Sequence, residues 1–175
     1  VSVEIFVHAM GRINFGKEVH DRKGLNAPVK FASGENEIES GKWEVYNIDY
    51  NNEWLSSLTF SESNEPNQKP GLWKGVFTID VLGDTYLDVS TWGKGVVWVN
   101  GKALGRYWNI GPTQTMYIPA PWLKKGENEI LVLDIVGPEK MIIAGVDTPV
   151  LDQLNPEKDF AGPKRPDVTL NIAGA

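Results

Sequence analysis

Carboxylates are the most plentiful groups in this sequence that could do acid–base chemistry. Those in or beside strand-like segments are Glu4, Glu44, Asp49, Asp80, Asp84, Asp88, Asp134 and Asp147. Cleaving a glycosidic bond takes two carboxyl groups set across a sugar ring, and no spacing here singles out such a pair. Most read as solvent-facing or turn-capping residues. Asp134 differs because it interrupts the apolar run "NEILVLDIV". A carboxylate buried there needs hydrogen bonds or a cation, so it lies on a wet face or is structurally paired.

Other chemistries have little material. His8 and His20 are the only histidines, no third ligand stands at a useful spacing, and there is no cysteine, so neither a metal centre nor thiolate chemistry is expected. Ser90 sits inside a strand-like segment with no evident histidine partner. "GKG" and "GKALG" lack the phosphate-loop spacing and its strand-to-helix context. The expectation is no catalytic residue, no cofactor and no metal in these 175 residues.

Binding chemistry has one better candidate, "WGKGVVWVNGKALGRYWNIGP", Trp92 to Pro112. Aromatic faces stack on sugars or protein loops, and arginine supplies directed donors. Arg106, Tyr107 and Trp108 are the candidates here, with Arg12 from the N-terminal part. Trp98 stands in an alternating apolar strand and reads as core; Trp92 and Trp122 read as caps of a sheet. Arg106 is equally readable as a structural arginine or as a contact with a neighbouring domain.

These residues must be positioned by short strands. "LWKGVFTI", "TYLDVSTW", "GVVWV", "TQTMYIP", "NEILVLDIV" and "MIIAGVDTPVL" follow one another with glycine-containing turns between them. Asn100-Gly101 between two extended segments predicts a type I′ hairpin, because both central residues need positive φ. The unbroken apolar character of "NEILVLDIV" predicts a central strand covered on both faces. Upstream, Val1, Val3, Ile5 and Val7 alternate as in a strand, and "APVKF" and "KWEVYNIDY" are further strand candidates. Trp54 to Phe60 fits a short strand or a helical turn, Pro121 to Lys124 a helical turn, and "VTLNI" near the end an edge strand. No segment of eleven or more residues has convincing helical periodicity. The predicted fold class is all-β, a sandwich or barrel.

Composition agrees with a folded domain. The chain is 41% hydrophobic and 23% charged, enough apolar material for a core. A net charge of -6 and the lack of a basic run argue against a nucleic-acid partner. The longest apolar runs are too short to span a bilayer, so no membrane partner is expected.

The segment from Asp84 through "WGKGVVWVNGKALGRYWNIGPTQTMYIPAPWLKKGENEILVLD" closely resembles the C-terminal jelly-roll, galactose-binding-like region of glycoside hydrolase family 35 β-galactosidases. The ordered elements are "W-V-N-G", "L-G-R-Y-W", a following "G-P" and "P-x-x-W-L-K-x-G-x-N". "GRINFG" with a downstream "DRKG" is similar to the family's preceding β-domain junction. The resemblance implies a jelly-roll β-sandwich over residues 26–151, a junction over 1–25 and an extended tail or linker over 152–175. It also implies a non-catalytic accessory role beside a separate (β/α)8 barrel and a neighbouring β domain, and a periplasmic or extracellular location. Arg12, Arg106, Tyr107 and Trp108 would make the interdomain contacts. The alternative is a carbohydrate-binding module taking a galactosyl group at the same residues.

Overall fold

A computed structural model describes residues 3–9, 11–33, 36–39, 41–62, 65–66, 69–158 and 170–171. In chain order the strands are β1 (Lys30–Ser33), β2 (Asn36–Glu39), β3 (Gly71–Ile79), β4 (Thr85–Asp88), β5 (Lys94–Val99), β6 (Lys102–Trp108), β7 (Thr115–Ile118), β8 (Gly126–Asp134), β9 (Ala144–Val146) and β10 (Leu170–Asn171). One helix, α1 (Asn52–Ser57), precedes β3. The chain divides into two units, Val1–Asn47 with Ala161–Ala175, and Ile48–Phe160.

The larger unit is an all-β jelly-roll sandwich. Its four-stranded sheet runs β3-β8-β5-β6 and its three-stranded sheet β7-β4-β9, antiparallel throughout. Between the layers lie Val97, Val99, Ile130 and Val132 from one sheet and Leu87 and Ile118 from the other, with Trp92, Tyr107 and Leu123. Leu131 and Leu133, which point the other way from β8, form a second cluster with Val96 and Trp98. β8 is therefore covered on both faces, as its unbroken apolar run requires.

Tyr50 and Leu55 supply part of that outer cover. The α1 helix starts at Asn51, whose side chain accepts a 2.8 Å bond from the Trp54 amide, satisfying one of the otherwise orphaned first-turn donors. Tyr50 then packs edge-on to Trp54 and tilted against Trp98, with ring centroids 5.7 and 5.6 Å apart. Of the two readings open for Trp54 to Phe60, the helical one holds for the first residues.

The β5–β6 hairpin turns at Asn100 and Gly101, with φ of 49° and 75°, the two positive values of a type I′ turn. Val97 pairs with Gly105 but Trp98 with Ala103, so Leu104 is an extra residue on β6. Such a bulge bends the strand and re-aims the side chains beyond it. After it Tyr107 points into the core and Arg106 points out.

The smaller unit holds a sheet of order β10-β1-β2. Its apolar residues are poorly covered: among the described buried apolar residues only Ala32 belongs to it. The strands expected at Val1–Val7 and at "KWEVYNIDY" do not form over the described residues 3–9 and 42–50. Alternation alone makes no strand; backbone groups need a partner edge, and no described strand offers one to these segments. Leu170–Asn171, within "VTLNI", does pair, parallel to β1.

The units divide at Ile48 and Phe160, later in the chain than the sequence-based boundaries of 26 and 151. At the second boundary the reason is visible. Gln153 N–H bonds Pro112 O at 2.9 Å, Asn155 N–H bonds Ile110 O at 2.8 Å, and the Asn155 side chain donates to Asn109 O. These bonds hold the start of the polar tail against the loop after β6.

Candidate functional site

The segment singled out in the sequence resolves into two buried polar clasps and one exposed strip. The first clasp is centred on Asp134, at the end of β8 and 0% exposed. One carboxylate oxygen accepts from Gly93 N–H at 2.6 Å and the Tyr107 hydroxyl at 2.8 Å. The other accepts from Val136 and Gly137 N–H, both at 2.8 Å, and from Lys94 N–H at 3.3 Å. Five donors meet this carboxylate, so of the two readings offered for Asp134 the structure chooses structural pairing. Charge-assisted bonds of this kind are stronger than neutral ones.

Tyr107 follows from the same clasp. It is 4% exposed. Its hydroxyl is held in the neutral form, its pKa raised first by burial and then by the Asp134 charge and hydrogen bond. The ring therefore offers no surface to a sugar or a neighbouring domain, contrary to its place among the expected contacts. The cause is the Leu104 bulge, which sequence periodicity does not reveal.

Gly95 completes this end of the sheet. A Cβ added there would stand 1.7 Å from Leu133 O. β5 and β8 approach so closely at this point that only glycine fits, which accounts for the second glycine of "WGKG".

The second clasp joins Asn100 of the hairpin to Asn128 of β8. The Asn100 side chain donates to Asn128 Oδ1 at 2.9 Å and to Trp122 O at 2.8 Å, and accepts from Glu129 N–H at 3.0 Å. Asn128, 1% exposed, donates to Lys124 O and Gly126 O and accepts from Lys124 N–H. "V-N-G" and "L-K-x-G-x-N" are thus two halves of one hydrogen-bonded unit.

Arg106 and Trp108 lie on the outer face of the four-stranded sheet. Arg106 is exposed and Trp108 half-buried. Burial raises the Tyr50 pKa, and the Arg106 charge opposes that rise, so the guanidinium is within electrostatic reach of the Tyr50–Trp98 cluster. Lys94 Nζ sits 3.5 Å from the centre of the Trp108 ring, a cation–π contact that already occupies one face of that ring. Arg12 is exposed and belongs to the smaller unit.

Two further carboxylates are taken up in local hydrogen bonds. Asp84 accepts from Ala120 N–H at 2.8 Å and Tyr117 Oη at 2.7 Å; Asp88 caps the turn at Ser90. Among the described residues no three His, Cys, Asp or Glu side chains cluster as a metal site requires, and no helix is long and apolar enough to cross a membrane.

Comparison with known families decides the assignment. The family described as β-galactosidase, galactose-binding domain, matches residues 70–128, from the start of β3 to Asn128. Residues 70–128 are the galactose-binding domain of the β-galactosidase family. The match contains the hairpin, both asparagines of the second clasp and Tyr107. The chain is 34% identical over 137 residues to β-galactosidase-1-like protein 2 of Homo sapiens, an alignment covering 75% of this chain and 21% of that protein. It is 35% identical over 139 residues to β-galactosidase 1 of Dictyostelium discoideum, covering 76% and 20%. It is 34% identical over 155 residues to β-galactosidase 17 of Arabidopsis thaliana, covering 78% and 22%. The chain thus spans about a fifth of the length of these relatives. The two clasps tie β8 to β5, β6 and the hairpin between them within the sandwich.

Proposed function

We propose that these residues serve a longer glycoside hydrolase family 35 β-galactosidase, in a periplasmic or extracellular setting, by packing against its catalytic barrel and a neighbouring β domain. One observation carries this reading: the smaller unit leaves large apolar side chains in water, with Phe15, Val45 and Tyr46 at 87, 84 and 79% exposed. Large apolar side chains left in water are the material of surfaces that another part of a protein covers. The exposed Arg12 and the Arg106–Trp108 strip supply polar and aromatic contacts for the same purpose. Galactosyl binding at Trp108 is the weaker reading, since the Lys94 ammonium would have to leave one ring face before a pyranose could stack there.

The test is to express the parent enzyme with and without this region and follow thermal unfolding of the catalytic barrel. A lower midpoint without the region is expected; an unchanged midpoint refutes the bracing role. Calorimetric titration of the present chain with galactose, lactose and galactan fragments should give no heat. Binding in the millimolar range, lost in Trp108→Ala without unfolding, would favour the carbohydrate module instead.

A further inference from the structure

The sandwich is closed along one side and open along the other. Strands β6 and β7 approach each other across the layers. On the far side, β3 is the edge of the four-stranded sheet and β9 the edge of the three-stranded sheet. Between them lies a cavity of about 650 Å³, lined by Trp73, Phe77, Ile79, Trp92, Met141 and Ile143 among others. Trp73, Phe77, Ile79 and Ile143 pack on the core yet remain only partly buried. Among the described residues β3 pairs with β8 on one side only, from Gly71 to Ile79. Alternate residues of such an edge present free N–H and C=O groups.

The chemistry of the walls selects the occupant. Lys74 is paired with Glu129 at 2.6 Å, Asp84 with Tyr117 and the Ala120 amide, the Thr85 hydroxyl with Val146 O, and the Trp92 indole with Ile142 O. These polar groups around the opening are thus engaged; Thr78, Asp147 and the Trp73 indole line it as well. A sugar needs several convergent polar partners to be oriented, whereas this slot offers apolar walls and a free strand edge. An extended peptide uses both: its backbone bonds to the edge, and alternate side chains fill the cavity.

We infer that an extended segment of the parent polypeptide, from outside these 175 residues, adds a strand to β3 and places its apolar side chains in this cavity. The relatives are about five times the length of the chain, so most of such a parent lies outside it and can supply the strand. The inference rests on the accessory reading above.

Hydrogen exchange followed by mass spectrometry, on the 175-residue chain and on the full-length parent, tests it. Peptides covering 71–79 should exchange about tenfold or more slowly in the parent than in the isolated chain, because edge amides gain partners. Peptides covering Phe15 and Val45 report separately on docking of the smaller unit. Protection there with none at 71–79 would overturn the strand addition and leave the accessory reading standing; protection at neither place would remove both. Slow exchange at 71–79 already present in the isolated chain would overturn the inference, and its increase with protein concentration would identify a second copy as the occupant.

Discussion

Asp134 is the residue whose replacement should do the most damage per atom changed. Its carboxylate accepts five hydrogen bonds, from Gly93, Lys94, Tyr107, Val136 and Gly137. In Asp134→Ala the four backbone donors lose this acceptor, and the Tyr107 hydroxyl keeps only Leu133 O at 3.3 Å. Each buried donor left unsatisfied costs about 1–3 kcal/mol. Even with strong non-additivity the total approaches the roughly 5–15 kcal/mol by which a domain is stable, so the variant should not fold. Asp134→Asn is more informative. The amide oxygen can still serve the side facing Val136 and Gly137, and the Tyr107 hydroxyl can turn to accept from the new NH2. The Gly93 N–H, 2.6 Å from the oxygen that becomes nitrogen, then faces a donor. One orphaned donor and the lost charge together predict a cost of about 2–4 kcal/mol. Tyr107→Phe, which deletes one charge-assisted bond, should cost about 1.5–3 kcal/mol. The double variant should cost less than the sum, because in Asp134→Asn the hydroxyl has already lost its charged partner. Urea unfolding measures all three, with an unchanged m-value showing that the transition is the same one. An Asp134→Asn protein within about 0.5 kcal/mol of the parent chain would refute the clasp.

Three further outcomes follow from the same hydrogen bonds. Because the folded state keeps Tyr107 protonated while the unfolded chain ionises near the ordinary tyrosine value of about 10, its contribution is complete below that pH and declines as pH rises above it; Tyr107→Phe should therefore lose stability less steeply in alkaline urea titrations. Asn128→Asp keeps the shape but points an oxygen at Lys124 O and Gly126 O in place of a donor, and should cost about 3 kcal/mol or more by thermal denaturation. Asp84 is held below the ordinary aspartate value, chiefly by the Ala120 amide and then by the Tyr117 hydroxyl, so what it adds to stability is present above that ordinary value and is lost as pH falls through its lowered one. Side-chain carboxyl NMR should show Tyr117→Phe raising the Asp84 titration part of the way, since the stronger Ala120 bond stays; no change would remove Tyr117 from the account.

What could be read from the sequence was whatever depends on neighbours in the chain. Asn100-Gly101 announces its turn because the strain it relieves is local, and "NEILVLDIV" announces a doubly covered strand because both its faces are apolar. Segments that need a distant partner misled. "KWEVYNIDY" has strand-like composition, yet it joins no sheet among the described residues and leaves Val45 and Tyr46 exposed. Tyr107 looked like a contact residue because the Leu104 bulge and its bond to Asp134, 27 positions away, leave no local trace. Asp134 was half legible: its burial requirement could be argued from the apolar run, but its donors come from three separate places on either side of β5 and β8.

This explains why the segment is so recognisable and why that recognisability says little about ligands. Gly95, Asn100, Tyr107 and Asn128 stand in the stretch matched to the family, and each is fixed by a close approach or a buried hydrogen bond that another residue type would break. Asp134, just beyond the match, is fixed in the same way. Constraint of this sort belongs to the sandwich itself and holds whatever the sandwich touches. Arg106 and Trp108 lie in the same short run, yet only their outward direction distinguishes them from Tyr107 between them. Contacts particular to this chain should therefore be sought on the outer face of β5 and β6 and along the open β3 edge, where the fold demands the least of the side chains. A substitution there, such as Arg106→Glu, should leave the isolated domain's stability within about 0.5 kcal/mol while, on the proposed accessory role, weakening its hold on the parent protein. Equal losses in both would mean that Arg106 belongs to the fold after all.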